Sequence, residues 1–183
     1  MRILDKLLEP AATQHGYVTT RDAAALGVPA VELRKLAHRG RLVNVGHGLY
    51  RIAAYPHGAR DEYMRAALWP AGRGVISHQA ALALWELADV NPARIDVSVP
   101  NPYRPRRRGG TEYRIWTVDI DPEDVDYVDG VPVTVPQRAI VEAAQAGLAP
   151  RFVEQAIQNG RRRGLIGRAT ETAIRAALGG DRQ

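Results

Sequence analysis

The sequence predicts an α+β fold in two parts. Three observations carry this reading. Two short helical patterns are parted by Gly27-Val28-Pro29, a Gly46-His47-Gly48 turn follows them, and beyond residue 55 period-two apolar runs are interleaved with helical ones. In the first part, Thr20 is placed to cap a helix through Asp22 to Leu26, because its hydroxyl can accept an orphan N–H of the first turn. Gly27 ends that helix, and Pro29 opens the next, where a missing N–H costs nothing. On the second helix Leu33, Leu36, Ala37 and Gly40 fall on one side, with Val31, Arg34, Lys35 and His38 opposite. Strand-like Arg41 to Val45 and Leu49 to Ile52 flank the glycine turn and complete the pattern of a winged helix-turn-helix. A helix that is aliphatic inside and basic outside suits major-groove reading. The bland alternative is a helical hairpin with a solvated face, but the Gly-x-Gly-Leu-Tyr turn has no purpose in one.

Ahead of this unit, Arg2 to His15 reads as an amphipathic helix with Ile3, Leu4, Leu7, Leu8 and Ala11 as its apolar stripe, completing a three-helix core. Tyr55-Pro56-His57-Gly58 is turn-forming, and divides the chain into a DNA-binding domain at 1–55 and a second domain at 56–183. Arg60 to Trp69 then reads as a helix. Ser77 is a plausible cap for another, with Ala81, Leu84, Trp85 and Ala88 on its buried face. Strands are expected at Ile95 to Val99, Tyr113 to Val118, Val125 to Val128 and Val131 to Val135, the last two joined by the hairpin step Asp129-Gly130. Helices follow from Pro136 to about Ala146, from Pro150 to Arg163 and from Gly167 to Leu178. The second domain is therefore expected to be a small, mostly antiparallel sheet covered by helices.

Charge separates the halves. Residues 1–55 hold eight lysines and arginines against four acids, so they carry +4 of a net +5 over 183 residues. Phosphate neutralisation drives most nucleic-acid binding, which makes such a partner natural for the first half. With no cysteine there is neither a disulfide nor a thiolate metal site, and the expected setting is a reducing cytoplasm. No apolar run approaches the roughly 20 residues of a membrane helix, and the N-terminus lacks a signal-peptide pattern, so no membrane partner is expected.

Catalytic and metal chemistry find little support. The run Asp119-Ile120-Asp121-Pro122-Glu123-Asp124 fails as a calcium loop, with Asp124 where the turn needs glycine and Gly130 where a bidentate Glu belongs. The five histidines lack ligand spacing, and no third glycine or Lys-Ser/Thr pair follows Gly48. Metal-dependent DNA cleavage usually needs a lysine, and the two present, Lys6 and Lys35, both lie in the first domain. Neither an enzyme, a cofactor nor a metal is expected. What remains in the second half is Arg104, Arg106, Arg107 and Arg108 in one loop, and Arg161-Arg162-Arg163. Guanidinium clusters suit acidic protein or nucleic-acid surfaces, although solubility alone also explains them.

The whole resembles the AbiEi family of antitoxins from type IV, abortive-infection toxin–antitoxin systems. In the first half the resemblance rests on Gly16-Tyr17-Val18-Thr19-Thr20, Ala23, Gly27, Leu33, Leu36, Gly40 and Val45-Gly46 with Gly48-Leu49-Tyr50. In the second it rests on Ile76-Ser77-His78 with Ala80-Ala81-Leu82, and on Asp129-Gly130-Val131-Pro132-Val133-Thr134 with Pro136 and Arg138. It implies an autorepressor that binds promoter DNA of its own operon and neutralises a cognate nucleotidyltransferase-like toxin. The DNA-contact candidates are Thr19, Thr20 and Arg21 on the first helix of the motif, Arg34, Lys35 and His38 on the second, and Arg41, His47 and Arg51 in the wing. The toxin-directed candidates are Arg106, Arg107, Arg108, Arg161, Arg162 and Arg163. The alternative function is a stand-alone winged-helix transcription regulator whose C-terminal domain dimerises or senses a ligand.

Overall fold

The computed structural model describes residues 2–105 and 110–180. Its first unit runs α1 (Ile3–Thr13), β1 (Tyr17–Thr19), α2 (Thr20–Ala25), α3 (Ala30–His38), β2 (Leu42–Gly46) and β3 (Leu49–Ile52). The three helices enclose a core of Leu7, Ala11, Val18, Ala23, Val28, Leu33, Leu42, Tyr50 and Ile52. Leu7 and Ala11 form the buried stripe of α1, with Ile3 and Leu4 half-buried beside them, whereas Leu8 faces solvent.

Three local expectations shift by a residue or so. The cap of α2 is Thr19, whose Oγ1 accepts the Asp22 N–H at 3.1 Å while the Asp22 carboxylate accepts the Thr19 N–H at 2.8 Å. Thr20 is instead the first helical residue. Pro29 stands just outside α3 as its N-cap, and Gly40, at φ +67°, lies beyond the helix end instead of on its inner side. The strand of this unit missing from the sequence reading is β1. It pairs antiparallel with β3, Tyr17 opposite Arg51 and Thr19 opposite Leu49, so the hairpin becomes a three-stranded sheet in the order β1-β3-β2. At three residues, with all three side chains buried, β1 shows no alternation for a periodicity argument to detect.

The rest of the described chain runs α4 (Asp61–Leu68), β4 (Val75–Ile76), α5 (His78–Leu84), β5 (Ile95–Pro100), β6 (Tyr113–Val118), the 3-10 turn Pro122–Asp124, β7 (Val125–Val128), β8 (Val131–Thr134), α6 (Pro136–Gln145), α7 (Pro150–Arg162) and α8 (Arg168–Gly180). The molecule is thus mixed α+β. Its second sheet has five strands in the order β6-β5-β4-β8-β7. The expectation of a mostly antiparallel sheet is corrected here. The pairs β5/β6 and β4/β8 are parallel, while β4/β5 and β7/β8 are antiparallel. The parallel pair β4/β8 comes from β4, a two-residue strand too short to be read from sequence, which separates the β7–β8 hairpin from the β5–β6 pair. Strands β5 and β6 are themselves parallel neighbours and not a hairpin. Asp129 and Gly130, at φ +48° and +81°, form the expected hairpin turn.

Around this sheet a second core gathers Met64, Ile76, Leu82, Val97, Val133, Ile140, Ile157 and their neighbours. Two residues of the first unit, Tyr17 and Leu49, are buried in it as well. The sheet β1-β3-β2 therefore lies between the two cores.

A candidate nucleic-acid interface

Helix α3 carries the surface the sequence points to. Leu33 is fully buried beneath it, Leu36 and Ala37 are half-buried, and Val31, Arg34, Lys35 and His38 are exposed on the far side. Lys35 reaches back to Glu32 at 2.7 Å, a pair on one turn that leaves the ammonium at the surface. Arg39 and Arg41 are exposed at the helix end, and His47 is exposed in the turn between β2 and β3. Arg21 is exposed on α2, with Thr20 half-buried ahead of it.

Two wing and helix candidates are corrected. Thr19 is buried and its hydroxyl is committed to the α2 cap, donating to Asp22 at 2.8 Å, so it has none left for a phosphate. Arg51 is buried, not a surface wing residue. Its guanidinium donates to the Tyr55 and Pro56 carbonyls at 3.0 and 2.8 Å, and pairs with Asp61 at 3.1 Å. His15 and His57 approach the same carboxylate at 3.3 and 3.2 Å. Burial opposes charge on Asp61, but the Gly58 amide and Arg51 outweigh it and hold the carboxyl below its ordinary value. Sequence reasoning missed this because the hydrogen-bonding partners lie in the turn it took for a boundary, and the period-two pattern says nothing about which strand face meets a second unit.

The joint has a second fastening. The Asp129 carbonyl of the β7–β8 turn lies 2.7 Å from His15 Nε2, and its carboxylate pairs with Arg60 at 2.8 Å.

The candidates in the other half separate. Arg106, Arg107 and Arg108 lie outside the described residues. Arg161, Arg162 and Arg163 do not act as one basic patch. Arg161 binds the Ile166 carbonyl at 3.0 Å and Glu171 at 3.2 Å, and Arg163 donates to the Trp85 and Glu86 carbonyls at the end of α5. Arg162 is exposed, with Asn159 at 2.8 Å. The cluster is corrected accordingly: all three guanidiniums have partners within the chain, and only that of Arg162 lies on an exposed residue beside a single side-chain neighbour.

Several of the second-half residues that carry the family resemblance, Ser77, His78, Thr134 and Arg138, gather around Glu142 at the start of α5. Ser77 was expected to cap this helix, but its hydroxyl instead meets Ser98 Oγ at 2.8 Å and His78 Nδ1 at 2.9 Å. Carboxylates cap it: Glu142 accepts the His78 N–H, and Asp96 accepts those of Gln79 and Ala80. Trp116 donates to Asp96 at 2.9 Å and stacks on the His78 ring at 4.0 Å. Arg138 binds Glu142 at 2.7 Å and also pairs with Asp124. Burial raises the Asp96 and Glu142 carboxyls above their usual range, while burial with Arg114 and Arg138 nearby holds the His78 imidazole down at about 4. The cluster is buried, and among the described residues no group of three or more metal-ligating side chains occurs.

A short helix, a four-residue break and a second helix with a basic outer side form the helix-turn-helix pattern. The comparison with known families agrees: residues 5–53 match the AbiEi antitoxin transcriptional regulators, so the expected resemblance to AbiEi antitoxins is met over that segment. That family is one of regulators, not of enzymes. Comparison with curated proteins gave no match. Among solved structures, the RV2827C protein from Mycobacterium tuberculosis is similar with a TM-score of 0.49 and 15% identity, over 96% of this chain and 81% of that one. No helix among the described residues is long and apolar enough to cross a membrane.

Proposed function

We propose that the protein is a winged-helix autorepressor and antitoxin. It binds promoter DNA of its own operon through α3, and it neutralises a cognate nucleotidyltransferase-like toxin through residues 56–183. The observation that carries the DNA-binding part is the exposed row Arg34, Lys35 and His38 over the buried Leu33, within the segment that matches the regulator family. Arg34 and Lys35 enter the major groove, and Arg21, Arg41 and His47 meet the flanking backbone. The hairpin β2–β3 is the wing. Arg162 is the exposed member of its arginine triplet and the first toxin-directed residue to test.

The family match ends at residue 53, which favours a second reading for the remainder: a regulator whose larger unit dimerises or senses a ligand. The full chain separates the two. With Arg34 and Lys35 replaced by alanine, an antitoxin still rescues growth when the neighbouring toxin gene is expressed, while a promoter reporter is derepressed. Loss of repression without any rescue by the wild-type chain would leave the regulator reading alone.

A further inference from the structure

The tip of the β2–β3 hairpin meets the second unit. Gly46 packs near the Trp69 ring, and an added Cβ would lie 4.0 Å from it. The Thr20 N–H donates to the Gly48 carbonyl at 2.9 Å, so the hairpin turn is docked on the start of α2. Between these pieces lies a notch of about 260 Å³, lined by Thr20, Arg21 and Gly48 on one side and by Leu68, Ala71 and Arg73 on the other. Two arginines from different units, Arg21 and Arg73, line one small space. Among the described residues neither has a carboxylate partner.

Arg73 is also held in place. Its N–H donates to the Pro70 carbonyl at 3.2 Å, and its guanidinium lies over the Tyr103 ring at 4.6 Å. The next residue is pinned too, for a Cβ on Gly74 would stand 2.7 Å from the Ala67 carbonyl. With its backbone tied to Pro70 and its guanidinium resting on Tyr103, Arg73 has less conformational freedom left to lose on binding. The floor of the notch is close-fitting, since a Cβ on Gly48 would come 2.9 Å from Thr20 Oγ1. The space is smaller than the roughly 300–1,000 Å³ clefts that take drug-sized ligands, and suits a single ionic group.

We infer that this notch grips one phosphate of the DNA backbone between Arg21 and Arg73, so that the second unit takes part in DNA binding. The inference rests on the reading of α3 as a DNA-binding helix. Two forked donors and a hydroxyl lining one space are the donor set a phosphate takes, and the notch adjoins the hairpin turn, which on the winged-helix reading meets the backbone of a duplex engaged by α3. No base is read there.

The test is a salt titration of binding by the full chain, on the native promoter and on an unrelated duplex. Arg73→Gln should weaken both to a similar extent and flatten the slope of log affinity against log salt by about one unit, with Arg21→Gln doing the same. Arg73→Lys should keep the slope, because it still neutralises a phosphate. Unchanged thermal midpoints separate these effects from misfolding. If Arg73→Gln keeps the wild-type slope while the Arg34/Lys35 double alanine variant loses binding, the notch is overturned and the DNA-binding helix stands. A loss confined to the promoter duplex also overturns it, since that marks a base contact. If the wild-type chain binds neither duplex, the notch and the α3 reading fall together.

Discussion

Arg51 and Asp61 form a salt bridge of 3.1 Å between the two cores, with side chains only 5% and 12% exposed. Such a pair lends little net stability when intact, because both charges are desolvated, but breaking it leaves a buried charge alone.

Arg51→Ala should therefore cost about 3–5 kcal/mol of folding stability, more than an exposed wing arginine could. Chemical denaturation measures this. The salt slope of DNA binding by the variant that remains folded should be that of the wild type, and a flattened slope would return Arg51 to the interface.

Because Tyr17 and Leu49 are buried in the second core and Arg51 is paired across the joint, the full chain should unfold in one cooperative transition. Fluorescence of Trp69, Trp85 and Trp116 reports the larger unit, and far-ultraviolet circular dichroism reports both. Two separated midpoints would mean that a boundary near Tyr55 divides independent folding units.

Alanine at both Arg34 and Lys35 should weaken promoter binding by roughly 2–4 kcal/mol if both reach bases, at about 1–3 each. Gel shifts against the native promoter check this. Unchanged shifts would remove α3 from the interface.

The pH dependence of stability should bear the mark of His78. Its imidazole titrates at about 4 in the folded chain against an ordinary 6.5, so the unfolded chain binds the extra proton first. Stability that is intact above pH 6.5 is lost as pH falls toward 4, by about 3 kcal/mol from this group alone. Asp96 and Glu142, both raised by burial, act in the opposite sense: their contribution is full at low pH and is lost as pH rises through their folded values. Denaturation at a series of pH values, beside His78→Asn, isolates the histidine. A variant with the same slope between pH 4 and 6.5 would show that His78 is not its source.

The limits of the sequence reading have physical causes. Helix α3 was legible because one face is buried and the other solvated, so its period shows directly in Leu33 against Arg34 and Lys35. Strands β6 and β7 were placed at their observed bounds by alternation and by the Asp129-Gly130 turn. Strands β1 and β4 were not, for three residues and two carry no period. The site suffered at Thr19, Arg51, Arg161 and Arg163. Residue type and spacing identify a donor but not its partner: for Thr19 it is the Asp22 carboxylate one turn on, for Arg51 Asp61 ten residues on, and for Arg163 the end of α5, brought near by the fold.

Strand β4 has a mechanical consequence. On one side it meets β8 through Ile76 and Val133, and on the other it meets β5 through Val75 and Ile76. The sheet is therefore two ribbons joined by a single rivet, and Arg73 stands two positions ahead of it. A phosphate gripped by Arg73 would pull on the middle of the sheet, where Val97 and Val133 lie fully buried on either side, not on a loose edge.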